Sequence, residues 1–175
     1  LISLCGEESF GTGSNHVREK DGIWAVLFWL DLIAATRQHP ADLVHAHWRK
    51  FGRNYYSRHD YEAIDTRAAD ILMSRLRTES KTLAGRQFGR YLCRDSDDFS
   101  YTDPVDGSRA EQQGIRVRFS DGSRIVYRLS GTGTEGATLR VYLESFEPGA
   151  GNLGLDCNVA LSGLLTLAGE LASIR

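Results

Sequence analysis

The sequence has no long apolar run. No stretch of about 18 apolar residues occurs, so nothing in it is expected to cross a membrane. Methionine is nearly missing, with Met73 the single one, and the chain starts on Leu1. It begins in strand-like text, LISLC, and is expected to be a piece cut from a longer protein. A basic stretch ahead of an apolar one is lacking at the start, so a signal peptide is not expected. Cysteine is sparse: Cys5, Cys93 and Cys157 lie far apart. No CxxC or Cys/His metal spacing joins them, so reduced thiols in a cytoplasmic protein are expected. There is no excess of one charge. The formal net charge is −2, which removes the basic field that recruits nucleic acid.

What remains is ordinary globular material. IWAVLFWLDLIAATR puts Ile23, Val26, Leu27, Leu30, Ile33 and Ala34 at helical spacing, which predicts a helix with a wide buried face. Asp21 is placed to cap it. HPADLVHAHWRKFG predicts a second helix, with Pro40 in its first turn and Gly52 at its end. Leu43, Val44, His47, Trp48 and Phe51 share one of its faces. NYYSRHDYEAI then reads as strand, and TRAADILMSRLRTE as a short amphipathic helix. GRYLCRDSDDFSYTDP predicts one or two short strands closed by Pro104.

GIRVRFSDGSRIVYRLS is the clearest element. Ile115, Val117 and Phe119 alternate with Arg116 and Arg118, and Ile125, Tyr127 and Leu129 with Arg124, Val126 and Arg128. Asp121-Gly122 between the runs marks a hairpin turn. TLRVYLESFE alternates again through Leu139, Val141 and Leu143. The final stretch predicts a helix whose core face is Leu161, Leu164, Leu165, Ala168 and Leu171. Strands bunched together rather than alternating with helices favour an α+β unit from about residue 53, after a helix-rich stretch.

Two loops carry chemistry. RLSGTGTEGATLR contains GTGTEG, which fits G-x-G-x-x-G. A dinucleotide site needs a helix after that loop, and here a strand is predicted, so the reading fails on context. A kinase loop does join two strands, but the catalytic HRD and DFG texts are missing, and Arg58-His59-Asp60 precedes the loop. A Walker A loop needs a terminal Gly-Lys-Ser/Thr, also missing. What survives is an anion nest: glycines that turn successive N–H groups inward, hydroxyls on Ser130, Thr132 and Thr134, and flanking Arg128 and Arg140. On composition alone a plain glycine hairpin with solvated arginines stands equally. Glu135 opposes an anion there and has to point outward. GEESFG, residues 6–11, packs two carboxylates and a serine between glycines, a set suited to sugar hydroxyls. Its rival is a solvated loop capping the next helix. Lys20, in REKDG, supplies a cation on the same loop.

Together, CGEESFGTGSNHVREKDGIWAVLFWL, HWRKFGRNYYSRHDYE, DPVDGS and FSDGSRIVYRLSGTGTEGATLRVYLES, in that order, resemble the C-terminal part of the phosphoglucomutases of the α-D-phosphohexomutase superfamily. The resemblance covers nearly the whole chain and is weakest near 66–98 and after 147. The family has four domains: one with a phosphorylated serine, one with a magnesium-binding DGDGDR-type loop, one with the GEESFG sugar loop, one with a phosphate loop. The first two motifs do not occur here.

The resemblance therefore implies that residues 1–52 are the helical end of an α/β third domain. It implies that residues 53–175 are the fourth, a TBP-like antiparallel sheet flanked by helices. It further implies that Glu7 and Ser9 bind sugar hydroxyls and that Lys20 meets the sugar phosphate or assists proton transfer. By the same resemblance, Arg58 approaches the substrate, and Arg128, Ser130, Gly131, Thr132 and Arg140 grip the phosphate that is not being transferred. Small residues are more usual in the family at Thr134 and Glu135, so those two positions are left out.

The implied partners are a phosphosugar and the upstream domains of the same protein, with Mg2+ held upstream and glucose 1,6-bisphosphate as intermediate. A chain without the serine and metal loops is expected to be inactive alone. The alternative is a non-catalytic phosphosugar-binding module.

Overall fold

A computed structural model describes residues 4–6, 11–17, 19–130 and 136–174. The chain divides into two units, Leu1–Lys50 and Phe51–Arg175. In the first, strands β1 (Leu4–Gly6) and β2 (Thr12–Ser14) pair antiparallel, with Gly6 opposite Thr12. Helix α1 (Gly22–Thr36) follows, and its start is fixed as expected: the Asp21 carboxylate accepts the Trp24 N–H at 3.0 Å. Arg37 ends it in the left-handed conformation. The predicted wide buried face is not found. No residue of α1 is buried, and Ile23, Val26, Leu27 and Leu30 are exposed. The spacing states that an apolar stripe exists, not that a partner lies over it, and β2 is the main neighbour of α1 within this unit. Helix α2 (Pro40–Phe51) begins on its proline and carries Asp42 in its first turn and Arg49 and Lys50 in its last, matching the helix dipole. Gly52 stops it at φ +87; a Cβ there would lie 2.5 Å from the Phe146 ring.

The second unit is α+β. Strand β3 (Arg53–Ile64) leads into helix α3 (Thr66–Ser80), then β4 (Gln87–Phe88), β5 (Tyr91–Asp98) and a small ribbon of β6 (Tyr101–Thr102) with β7 (Arg109–Ala110). The hairpin β8 (Ile115–Phe119) and β9 (Arg124–Ser130) turns at Asp121-Gly122, where Gly122 has φ +86. Strand β10 (Ala137–Glu147) and helix α4 (Cys157–Ala172) complete it. The sheet runs β3-β10-β9-β8-β5-β4, each pair antiparallel.

The alternation decides the layers. Ile115, Val117, Phe119, Ile125, Tyr127, Leu139, Val141 and Leu143 face α3 and α4 and are almost wholly shielded from water. Leucines of this kind contribute about 1.5–3 kcal/mol each relative to exposure. The Tyr127 hydroxyl donates to the Ala168 carbonyl at 2.8 Å, so its burial strands no donor. That burial pushes the phenol far above its ordinary pKa. Along α4 the buried set is Leu161, Leu164, Leu167, Ala168 and Ala172. Leu165, expected in the core, is 37% exposed: the buried stripe runs through 164, 167, 168 and 172 instead.

Candidate phosphosugar site

On the sheet face away from the helices the arginines line up, and nearly all are paired. Arg116 grips Asp97 through two bonds, Nε–Oδ1 at 2.8 Å and Nη2–Oδ2 at 2.6 Å, and rests on the Phe99 ring. Arg118 bonds Asp95 and reaches Asp97 at 3.0 Å. Hydrogen bonds from Arg116 hold the Asp97 carboxyl below the usual carboxylate range, and bonds from Arg94 and Arg118 do the same to Asp95. Arg124 pairs with Glu144, and Arg58 with Asp60, Nε to Oδ1 at 3.0 Å.

Arg128 breaks the rule. No carboxylate among the described residues pairs with it. Its partner across β9 and β10 is another cation, Arg140. Like charges directly opposite on a sheet are destabilising. Arg140 is itself incompletely satisfied: its Nε is buried without a hydrogen bond, and the nearest carboxylate, Asp60 Oδ2, is 3.8 Å away. Cross-strand arginines at the root of a hairpin loop leave an excess of positive charge, which an anion offsets.

The local backbone supports that loop. Ser130 stands opposite Thr138, so the β9–β10 ladder is closed up to the loop's base. Gly136, the first described residue past it, has φ +84, and a Cβ there would lie 2.8 Å from the Ile64 carbonyl oxygen. The close approach coincides with a bulge: Ala137 pairs with Ile64 but Leu139 with Tyr61, and Ala63 takes φ +55. Bulges of this kind re-aim strand ends beside functional loops. Gly131 and Thr132 lie outside the described residues. Arg58, Arg128, Ser130 and Arg140 share this sheet, with Arg58 two residues from Asp60 on the same face.

In the first unit the β1–β2 hairpin borders a cavity of about 420 Å³, lined by Cys5, Gly6, Gly11, Thr12, Glu19 and Lys20 among others. Glu7 and Ser9 lie outside the described residues. Lys20 is exposed and on the cavity wall, its backbone N–H donating to Glu19 Oε1 at 2.8 Å. Gly13 lets this wall close: a Cβ there would lie 2.7 Å from the Glu19 carbonyl oxygen. His16 Nε2 meets Asp21 Oδ2 at 2.8 Å and the ring stacks on Trp24, tying this segment to the start of α1. That hydrogen bond lowers the Asp21 pKa.

Sequence reasoning missed Asp60 and the bulge at Ala63. Alternation places Arg58 and Asp60 on one face, but the pairing of β3 with a strand some 80 residues later is not written in local text. Among the described residues no group of three or more His, Cys, Asp or Glu is placed to hold an ion. No helix among them is long and apolar enough to cross a membrane.

Residues 53–175 match the family model described as Phosphoglucomutase-1, C-terminal domain, and residues 2–51 the one described as Phosphoglucomutase/phosphomannomutase, alpha/beta/alpha domain III. Among similar proteins, a phosphoglucomutase of Rhizobium radiobacter is 54% identical over 99% of this chain and 32% of its own length. The chloroplastic phosphoglucomutase of Solanum tuberosum is 49% identical over 99% and 29%. Phosphoglucomutase-1 of Homo sapiens is 45% identical over 99% and 32%. The chain thus spans about a third of the length of these relatives. An open-form crystal structure of the Paramecium exocytosis-sensitive phosphoprotein pp63/parafusin, a phosphoglucomutase, superposes with a TM-score of 0.86 at 46% identity, covering 99% of this chain and 30% of that one.

Proposed function

The chain belongs to the phosphoglucomutase family, and from that premise we propose that it is the C-terminal part of an enzyme interconverting glucose 1-phosphate and glucose 6-phosphate. In this reading residues 1–52 end the third domain and 53–175 form the fourth. The observation that carries it is the Arg128–Arg140 pair, unpaired with acid on one side and set at the root of the loop.

The reaction runs through a phosphoserine on an upstream domain. The serine's phosphoryl group passes to the free hydroxyl of the bound monophosphate, giving glucose 1,6-bisphosphate and free serine. The intermediate turns over, and its other phosphoryl group returns to the serine. Chemistry of this kind depends on in-line placement and on stabilising charge rather than on new covalent partners. Arg128, Ser130, Gly131, Thr132 and Arg140 hold whichever phosphate is idle. Glu7 and Ser9 take the sugar hydroxyls, which differ little between the two orientations. Lys20 contacts the sugar phosphate or moves the hydroxyl proton, and Arg58 closes on the substrate. Mg2+, assigned to upstream segments, supplies positive charge at the transferring phosphoryl group when bound. Three free cysteines fit a cytoplasmic location.

Arg140→Ala in the complete protein is expected to lower kcat/KM for glucose 1-phosphate about 10-fold or more, the equivalent of at least one charged hydrogen bond. An unchanged value removes the phosphate role. The same assay on the 175 residues alone is expected to register no turnover.

A further inference from the structure

We propose that Asp60 is a positioning residue that sets the aim of the arginines around the phosphate. The inference rests on the reading of Arg140 as a phosphate ligand. Asp60 is the one carboxylate among the described residues near both Arg58 and Arg140, at 3.0 Å from one Nε and 3.8 Å from the other. It stands opposite Arg140 across β3 and β10, while Arg128 stands opposite Arg140 on the other side. The row across three strands is therefore acid, base, base. Both arginines turn their Nε edge toward the acid. Their Nη ends, the fork that matches a phosphate, carry no partner among the described residues. A guanidinium drawn by charge toward a carboxylate at its inner edge has less freedom to swing before the ligand arrives, and pre-organisation of this sort is what binding sites gain from a supporting carboxylate. The Nε of Arg140 is buried and makes no hydrogen bond, so Asp60 acts on it through charge at 3.8 Å rather than through a bond.

A second effect of Asp60 has the opposite sign, and this makes the proposal testable. As a bare negative charge it repels phosphate, so removing it for electrostatic reasons alone tightens anion binding. Positioning predicts the reverse. In the complete protein, Asp60→Asn, which keeps the shape and removes the charge, is expected to raise both KM for glucose 1-phosphate and the competitive inhibition constant of inorganic phosphate by about 10-fold. Asp60→Glu, which restores the charge on a longer arm, is expected to recover most of that loss, and both variants are expected to melt within a few degrees of the parent. An inhibition constant that is unchanged or lower in Asp60→Asn overturns the proposal, as does Asp60→Glu behaving no better than Asn. Arg140→Ala separates the two layers. If it leaves phosphate inhibition unchanged, the phosphate site itself is misplaced and the proposal falls with it. If it weakens inhibition while Asp60→Asn does not, only the role of Asp60 fails.

Discussion

Helices α1 and α4 are alike in sequence and opposite in circumstance. GIWAVLFWLDLIAAT and CNVALSGLLTLAGELA are both strongly apolar, both begin on an aspartate cap and both end in a left-handed residue. Yet α1 buries nothing and α4 buries five residues against the sheet. The apolar stripe specifies a demand for a neighbour. In the second unit that neighbour is the inner face of β3, β9 and β10.

Proteolysis puts the heaviest strain on this comparison. Limited trypsin treatment of the 175-residue chain is expected to leave a resistant core from residues 53–175 while residues 1–40 are lost, because cleavage follows local opening and few buried contacts hold the first unit. A resistant first unit with a degraded sheet would reverse the conclusion. Leucine truncation is the next test. Leu164→Ala, in a side chain with no exposed area, is expected to cost the second unit about 3 kcal/mol in urea unfolding. Leu27→Ala, at a position 60% exposed, is expected to change stability by under about 0.5 kcal/mol. Equal effects would mean that α1 is covered after all.

An effect smaller than that of Leu164 concerns acid. Because the folded pKa of Asp97 is depressed, its stabilising effect is full above the ordinary carboxylate range and disappears as pH falls through the lowered value. Asp97→Asn is therefore expected to cost about 0.5–1 kcal/mol at pH 7, discounted for an ion pair at 37% exposure, and less at pH 2. Urea midpoints at the two pH values measure it. A pH-independent difference would assign the effect to packing.

Much of this was legible in the text. Alternation through 115–129 gave both faces of the hairpin, Asp121-Gly122 gave its turn, and Asp21 its cap, because each is decided by residues within reach of one another. Arg128 and Arg140 were visible as flanks of a glycine loop for the same reason. Leu165 went astray because a helix so rich in leucine offers two overlapping stripes, and only the sheet chooses between them. Asp60 could not be found, since its meaning comes from standing opposite Arg140. The pairing that sets it there is dictated by the whole core.

That pairing also gives the site an order of assembly. β8, β9 and β10 follow one another as a meander, so the Arg128–Arg140 juxtaposition needs only short loops to close, events of microseconds. β3, with Arg58 and Asp60, docks on β10 only when the intervening chain has been gathered in, and Arg53 then donates to the Leu153 and Leu155 carbonyls about 100 residues away. Contacts of such sequence separation are the slow ones in folding. On a ribosome, β3 emerges early and waits, an unpaired edge, until the last strand of its sheet has been made. Arg128 and Arg140 are brought together first, and Asp60 arrives last, with Arg58 on the same strand.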